Sequence, residues 1–136
     1  MTAAAGPTTW TSRAGILALG IVIGVIYGSV ATIGHRNELT IGAVVLPWGI
    51  VAALIGVLAL LVGIRLAAGG RLPAIGAAVG IVGTVALLTL PGPGGSVLVT
   101  GDLRGTVWAV APALLAVLVV AWPELPPRRR AAAEAA

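Results

Sequence analysis

Residues 42–64, GAVVLPWGIVAALIGVLALLVGI, run for 23 residues without a charge. A helix rises about 1.5 Å per residue, so this stretch crosses a hydrocarbon core ~30 Å thick with some tilt to spare. A helix that is apolar all round must be covered on every side, and a chain of 136 residues has too little interior to cover it in water. The bilayer is the solvent that removes the conflict. Three further apolar stretches, 14–34, 73–90 and 105–122, flank the first. Charged residues make up only 9% of the chain, against about 25% in a soluble domain. The expected fold class is therefore all-α membrane, a four-transmembrane-helix bundle over 14–122. A tail of residues 1–13 precedes it, and a basic, low-complexity tail of 123–136 follows, expected to be disordered.

The connections carry almost all of the charge. Residues 1–13 end in Trp10 and Arg13, just before the first apolar run. Ser29-Val30-Ala31 has the small-residue pattern of a signal-peptide cleavage site, but the apolar run continues to residue 34, so the first helix is read as uncleaved. The turn HRNELT, residues 35–40, holds the single histidine. His35, Asn37 and Glu38 offer polar atoms there, but a metal needs three or four converging ligands. With no cysteine and no second histidine, the turn reads as an ordinary solvated loop. Neither a metal nor a cofactor is expected. Gly69-Gly70 marks the next turn, with Pro73 as a first-turn proline. Pro91-Gly92-Pro93 opens the longest connection, and Pro112 inside the fourth span predicts a kink.

Lysine is absent, and the net charge of +4 comes from eight arginines. Arg13, Arg65, Arg71, Arg128, Arg129 and Arg130 fall on one side of the four spans, and Arg36 and Arg104 on the other. By the excess of positive charge on the cytoplasmic side, both termini are expected in the cytoplasm. The arginines form no stripe of the kind that tracks a phosphate backbone, so nucleic acid is not an expected partner. Trp10 and Trp122 are expected as anchors at the cytoplasmic boundary, and Trp48 and Trp108 at the outer one. The dominance of residues with GC-rich codons points to a bacterial chain, placed in the cytoplasmic (inner) membrane as a multi-pass protein.

Lipid tails are as apolar as leucine, so helices in a bilayer associate where small residues let backbones approach. Gly20, Gly24 and Gly28 line one face of the first span; Gly76, Gly80 and Gly83 line the third. Gly49, Gly56 and Gly63 recur at heptad spacing in the second, and Ala109, Ala113 and Ala116 take the role in the fourth. These are the candidate packing residues. Sliding the chain by 60 residues sets Gly20-Ile21-Val22 on Gly80-Ile81-Val82, Trp48 on Trp108, and Ala53-Leu54 on Ala113-Leu114. That match predicts two tandem helical hairpins related by an axis along the membrane normal.

Proton-coupled transport and intramembrane catalysis both require ionisable or nucleophilic groups inside the bilayer. Glu38, Asp102, Glu124 and Glu134 all lie outside the expected spans, whose polar residues are Tyr27, Ser29, Thr32, Thr84, Thr89 and Thr106. The expected function is a non-enzymatic accessory or scaffold subunit, with a small transporter or channel-forming protein without an intramembrane acid as the alternative. Its expected partners are the lipid bilayer and either a larger membrane protein or a second copy of itself. His35, Arg36, Glu38, Asp102 and Arg104 form one outward-facing set able to meet a headgroup or a partner. At Gly101-Asp102-Leu103-Arg104-Gly105 before Val107-Trp108, and at Ala121-Trp122-Pro123, the chain resembles small actinobacterial four-helix membrane proteins of uncharacterised function. That resemblance implies the bundle and transfers no catalytic residue.

Overall fold

A computed structural model describes residues 9–124; residues 1–8 and the tail from 125, with Arg128, Arg129 and Arg130, lie outside the described part. Among the described residues, four helices follow in order: α1 (Trp10–Gly34), α2 (Trp48–Ala68), α3 (Leu72–Thr89) and α4 (Leu103–Ala121). Each is long and apolar enough to cross a bilayer. The chain is a multi-pass membrane protein built as an all-α four-helix bundle.

Local chemistry sets the ends. The Thr9 hydroxyl accepts from the Ser12 N–H at 3.4 Å, so α1 starts four residues before the apolar run at 14. Gly69 closes α2 in the left-handed conformation at φ +64, which glycine adopts without a Cβ clash. Pro73 stands in the first turn of α3, where its missing N–H costs nothing. The Asp102 carboxylate caps α4 by accepting from the Gly105 N–H at 3.0 Å, and α4 continues through Pro112.

Residues 42–46 depart from the sequence expectation. They were expected in the second span but belong to a hairpin, β1 (Leu39–Ile41) paired antiparallel with β2 (Val44–Leu46). Gly42 at φ +62 opens its two-residue turn with Ala43, as a type II′ turn requires. Pro47 explains the correction: its preceding residue is driven to extended backbone, so the helix starts only at Trp48.

Side-chain size sorts inside from outside. The buried residues of α1 are Gly20, Gly24, Gly28, Ala31 and Thr32, while Leu19, Ile26, Val30 and Ile33 are exposed. This inverts the rule for water, because burying leucine gains nothing against lipid whereas backbone contact does. α3 is the hub, touching all three other helices and packing most extensively on α1. Across the α1–α3 seam the fit is reciprocal. A Cβ on Gly20 would lie 3.2 Å from the Gly76 Cα, and one on Gly76 would lie 3.2 Å from the Gly20 Cα. A Cβ on Gly24 would strike the Ala77 carbonyl, and one on Gly80 the matching Ile21 carbonyl. The pairs ascend together, so α1 and α3 run parallel.

The other glycines divide. Gly49 lies against the turn after α1, where a Cβ would fall 2.8 Å from the Asn37 nitrogen. Gly56 leaves room for the Tyr27 hydroxyl, which donates to the Ala53 carbonyl at 2.8 Å and ties α1 to α2. Gly63 and Gly83 face open space, so the packing role expected of them is absent: heptad or near-heptad spacing alone does not put a residue on the contact face.

Gly24→Ala should therefore lower the thermal midpoint in detergent markedly, since backbone atoms cannot yield. Gly83→Ala should leave it unchanged or raise it slightly, by up to ~1 kcal/mol of helix propensity. Circular dichroism melts of the two variants check this. Tyr27→Phe should cost about 0.6–1.7 kcal/mol, the span of interhelical bonds in membranes. In a double-mutant cycle, Gly56→Ala should be milder when combined with Tyr27→Phe than in the wild type, because the hydroxyl it strikes is gone.

Candidate functional site

The polar residues gather at one end of the bundle, where α1 and α3 lead into the connections that follow them. α1 ends at His35, whose N–H closes the helix on the Ala31 carbonyl at 2.8 Å. The ring turns inward, is fully buried, and stacks on Trp108 with centroids 5.3 Å apart and planes 11° from parallel. Trp108 Nε1 donates to the Thr32 hydroxyl at 3.1 Å, and His35 Nδ1 lies 2.5 Å from the Thr32 carbonyl. A carbonyl only accepts, so Nδ1 carries the proton and Nε2 is a bare lone pair. Nε2 is buried without a hydrogen-bond partner.

Two corrections follow. His35 is not on an ordinary solvated loop, and Trp108 is not an interfacial anchor: its surface is wholly enclosed. Once α4 is capped at Asp102, Trp108 lies more than a turn inside the helix, on the face that meets α1. Trp10, Trp48 and Trp122 stand at helix ends and are exposed. Trp48 and Trp108, aligned in sequence, thus have unlike surroundings.

Above the stacked rings, the two connections are cross-paired. Arg36 donates to both carboxylate oxygens of Asp102 at 2.9 Å and to the Thr100 hydroxyl; Arg104 pairs with Glu38. The order Arg-x-Glu in one connection meets Asp-x-Arg in the other, so each charge finds its opposite. Asp102 also accepts from Thr100 Oγ1 at 2.8 Å. The Gly105 N–H, then Thr100 and Arg36, hold the Asp102 carboxyl down at about 2. Gly105 itself is required here, because a Cβ would strike the Thr100 backbone carbonyl. The Gly49 N–H donates to the Asn37 carbonyl at 3.0 Å, which docks the start of α2 under the same cap.

The opposite end is built from arginines. Arg65 reaches from α2 to the last carbonyls of α4, at Val119 and Trp122. Arg71 donates to the Trp122 carbonyl at 3.3 Å and lies 3.6 Å from Glu124. Cations at a helix C-terminus satisfy unpaired carbonyls and complement the helix dipole.

Chemically the cluster around Arg36 and Asp102 is a closed latch. Its charges neutralise one another, and among the described residues no group of three or more His, Cys, Asp or Glu side chains could hold a metal ion. The pairing of residues 36 and 38 with 102 and 104 had no local signal. Asp102, expected in the connection before a span starting at 105, instead caps α4 from Leu103; an aspartate directly before an apolar run is the signal that could have marked it. These features define a helical membrane bundle with an ion-paired cap at one end. No family model, curated protein or solved structure matches the chain.

Burial is the main reason the His35 imidazole titrates below its ordinary value; Arg36 and Arg104 add to this, while the Thr32 carbonyl and Asp102 oppose it. The unfolded chain then binds a proton more readily than the folded one, so stability is full above pH 6.5 and falls as the pH drops below it. His35→Phe keeps an aromatic ring for the stack and removes the titration. Its melting temperature should be flat from pH 7 to 5, where the wild type declines; parallel declines would exclude His35 as the cause. A second loss, from about pH 3.8 towards 2, belongs to Asp102.

Proposed function

We propose that this chain is a non-enzymatic accessory or scaffold subunit of a bacterial cytoplasmic membrane, with both termini in the cytoplasm. It acts by contact with a larger membrane protein or a second copy of itself. The observation that carries this reading is the cross-paired outer cap, in which Arg36, Glu38, Asp102 and Arg104 neutralise one another. What that end leaves unpaired is apolar surface. The hairpin supports the same reading, since Leu39, Ile41, Val44, Val45 and Leu46 are all exposed. A lone two-stranded ribbon is marginal in water, and the headgroup region or a partner would stabilise it.

The alternative of a transporter or channel finds less support. α1 and α3 meet backbone to backbone, and the two principal grooves lie outside that seam, between α2 and α4. Arg13, Arg65 and Arg71 at one end support the cytoplasmic placement of that end. The GDLRG and AWP words and the GC-rich codon bias support an actinobacterial source.

The topology is tested by cysteines placed at Asn37, Ser96 and Ala68, all exposed. An impermeant maleimide applied to intact cells should label the first two and spare the third; the reverse pattern would invert the protein in the membrane. For the activity, liposomes holding the purified protein under a pH gradient should show no proton or ion flux. Crosslinking in native membranes should recover one reproducible partner. Flux above that of empty vesicles would turn the assignment to the transporter class.

A further inference from the structure

Val57 and Leu61 of α2 and Ala116 of α4 belong to the buried core in mid-bundle. Towards the arginine end a groove lies between the two helices, where Gly69 and Gly70 have open space in place of a Cβ. The resulting groove has a volume of about 890 Å³ and apolar walls that include Leu58, Val62, Leu66 and Leu118. Leu66 and Leu118 are exposed, so the groove opens sideways, towards the hydrocarbon. At its mouth stand Arg65, Trp122 and Glu124.

The charge at that mouth is positive. Arg65 bonds only to carbonyls, which orient a guanidinium without neutralising it, and it has no carboxylate partner among the described residues. Arg71 lies beside it, bonded to the same Trp122 carbonyl, and Glu124 offsets one of the two cations. An apolar slot open sideways, topped by a net cation and by the exposed Trp122 at the end of α4, is complementary to an anionic lipid. We propose that this groove is a binding site for a single anionic phospholipid, its acyl chain between α2 and α4 and its phosphate on Arg65 and Arg71. Basic pockets between helices hold anionic headgroups in this way. The volume falls within the ~300–1,000 Å³ of small-ligand sites. A helix ~10–12 Å across fills roughly 500 Å³ per turn, so a partner helix would seat barely two turns there.

The test uses the full chain in neutral detergent, with phosphatidylglycerol or phosphatidylcholine added and the melting temperature recorded. A ligand that binds only the folded state raises the midpoint. Phosphatidylglycerol should raise it by several degrees and phosphatidylcholine should not. Leu118→Trp, which fills the groove without touching a polar contact, should abolish the rise. Val117→Trp, at a neighbouring exposed position outside the groove, should keep it. Arg65→Gln should lose the preference for the anionic lipid; if that variant does not fold, Leu118→Trp still decides. Equal rises with both lipids, or a rise that survives Leu118→Trp, would overturn the proposal. So would its loss on neutralising Arg128, Arg129 and Arg130 together, which would place the headgroup on the tail. Native mass spectrometry should find one bound phosphatidylglycerol per chain. A dimer that Leu118→Trp dissociates would assign the groove to a second copy instead.

Discussion

The contact on which the rest of the bundle depends is the backbone-to-backbone seam between α1 and α3. In a bilayer no hydrophobic force drives helices together, so attraction must come from atoms brought closer to one another than to lipid. Gly20, Gly24, Gly76 and Gly80 make this possible by removing the side chains that would hold the two backbones apart. Having α1 on one side leaves α3 its other faces for α2 and α4, and Ile81, Val85, Val57 and Leu61 fill that space. α2 rests more loosely and leaves much of its surface to lipid. Its fixed points are the Gly49 N–H on the Asn37 carbonyl, the Tyr27 hydroxyl on the Ala53 carbonyl and the Arg65 contacts to α4.

Among the described residues, charged side chains are confined to the two ends, because an unpaired charge in hydrocarbon costs several kcal/mol. The end that holds His35 balances its charges, while the arginine end does not. Such a difference between two caps of one bundle matters more than either alone. A neutral latch holds its connections in place and offers little to a charged ligand, whereas excess positive charge attracts anions. His35 is the exception to full pairing. Its bare Nε2 makes that end sensitive to acid, since a proton there would bring a charge into a site with no acceptor.

The repeat in the sequence is related to the fold by a slip of one helical turn. The alignment sets Gly20 on Gly80, but in the seam Gly20 faces Gly76 and Gly24 faces Gly80. A glycine stripe of period four matches itself at either offset, because four residues is close to one turn. The sequence match therefore marks the correct face and leaves the height along the axis open. Trp48 and Trp108 show the consequence: they align as a pair, yet one lies half-exposed at a helix start and the other is sealed against His35.

Sequence by itself determined the number of spans, their apolar character, the separation of charge between the two ends and the glycine faces of α1 and α3. Each of these follows from composition within a single stretch. The turn at Gly69 was legible too, although the Asp102 cap starts α4 two residues before the expected 105 and Pro47 starts α2 six residues after the expected 42. Tertiary structure alone decided which small residues meet and which face open space, so that Gly63 and Gly83 drop out of the packing. It also decided that Arg36 pairs with Asp102, Glu38 with Arg104, and His35 with Trp108. These partners lie more than sixty residues apart, and they meet because the α1–α3 seam fixes where the connections emerge. The physical reason is general. Length and hydropathy are sums over neighbours in the chain, whereas a pairing depends on the rotation and height at which two helices lock.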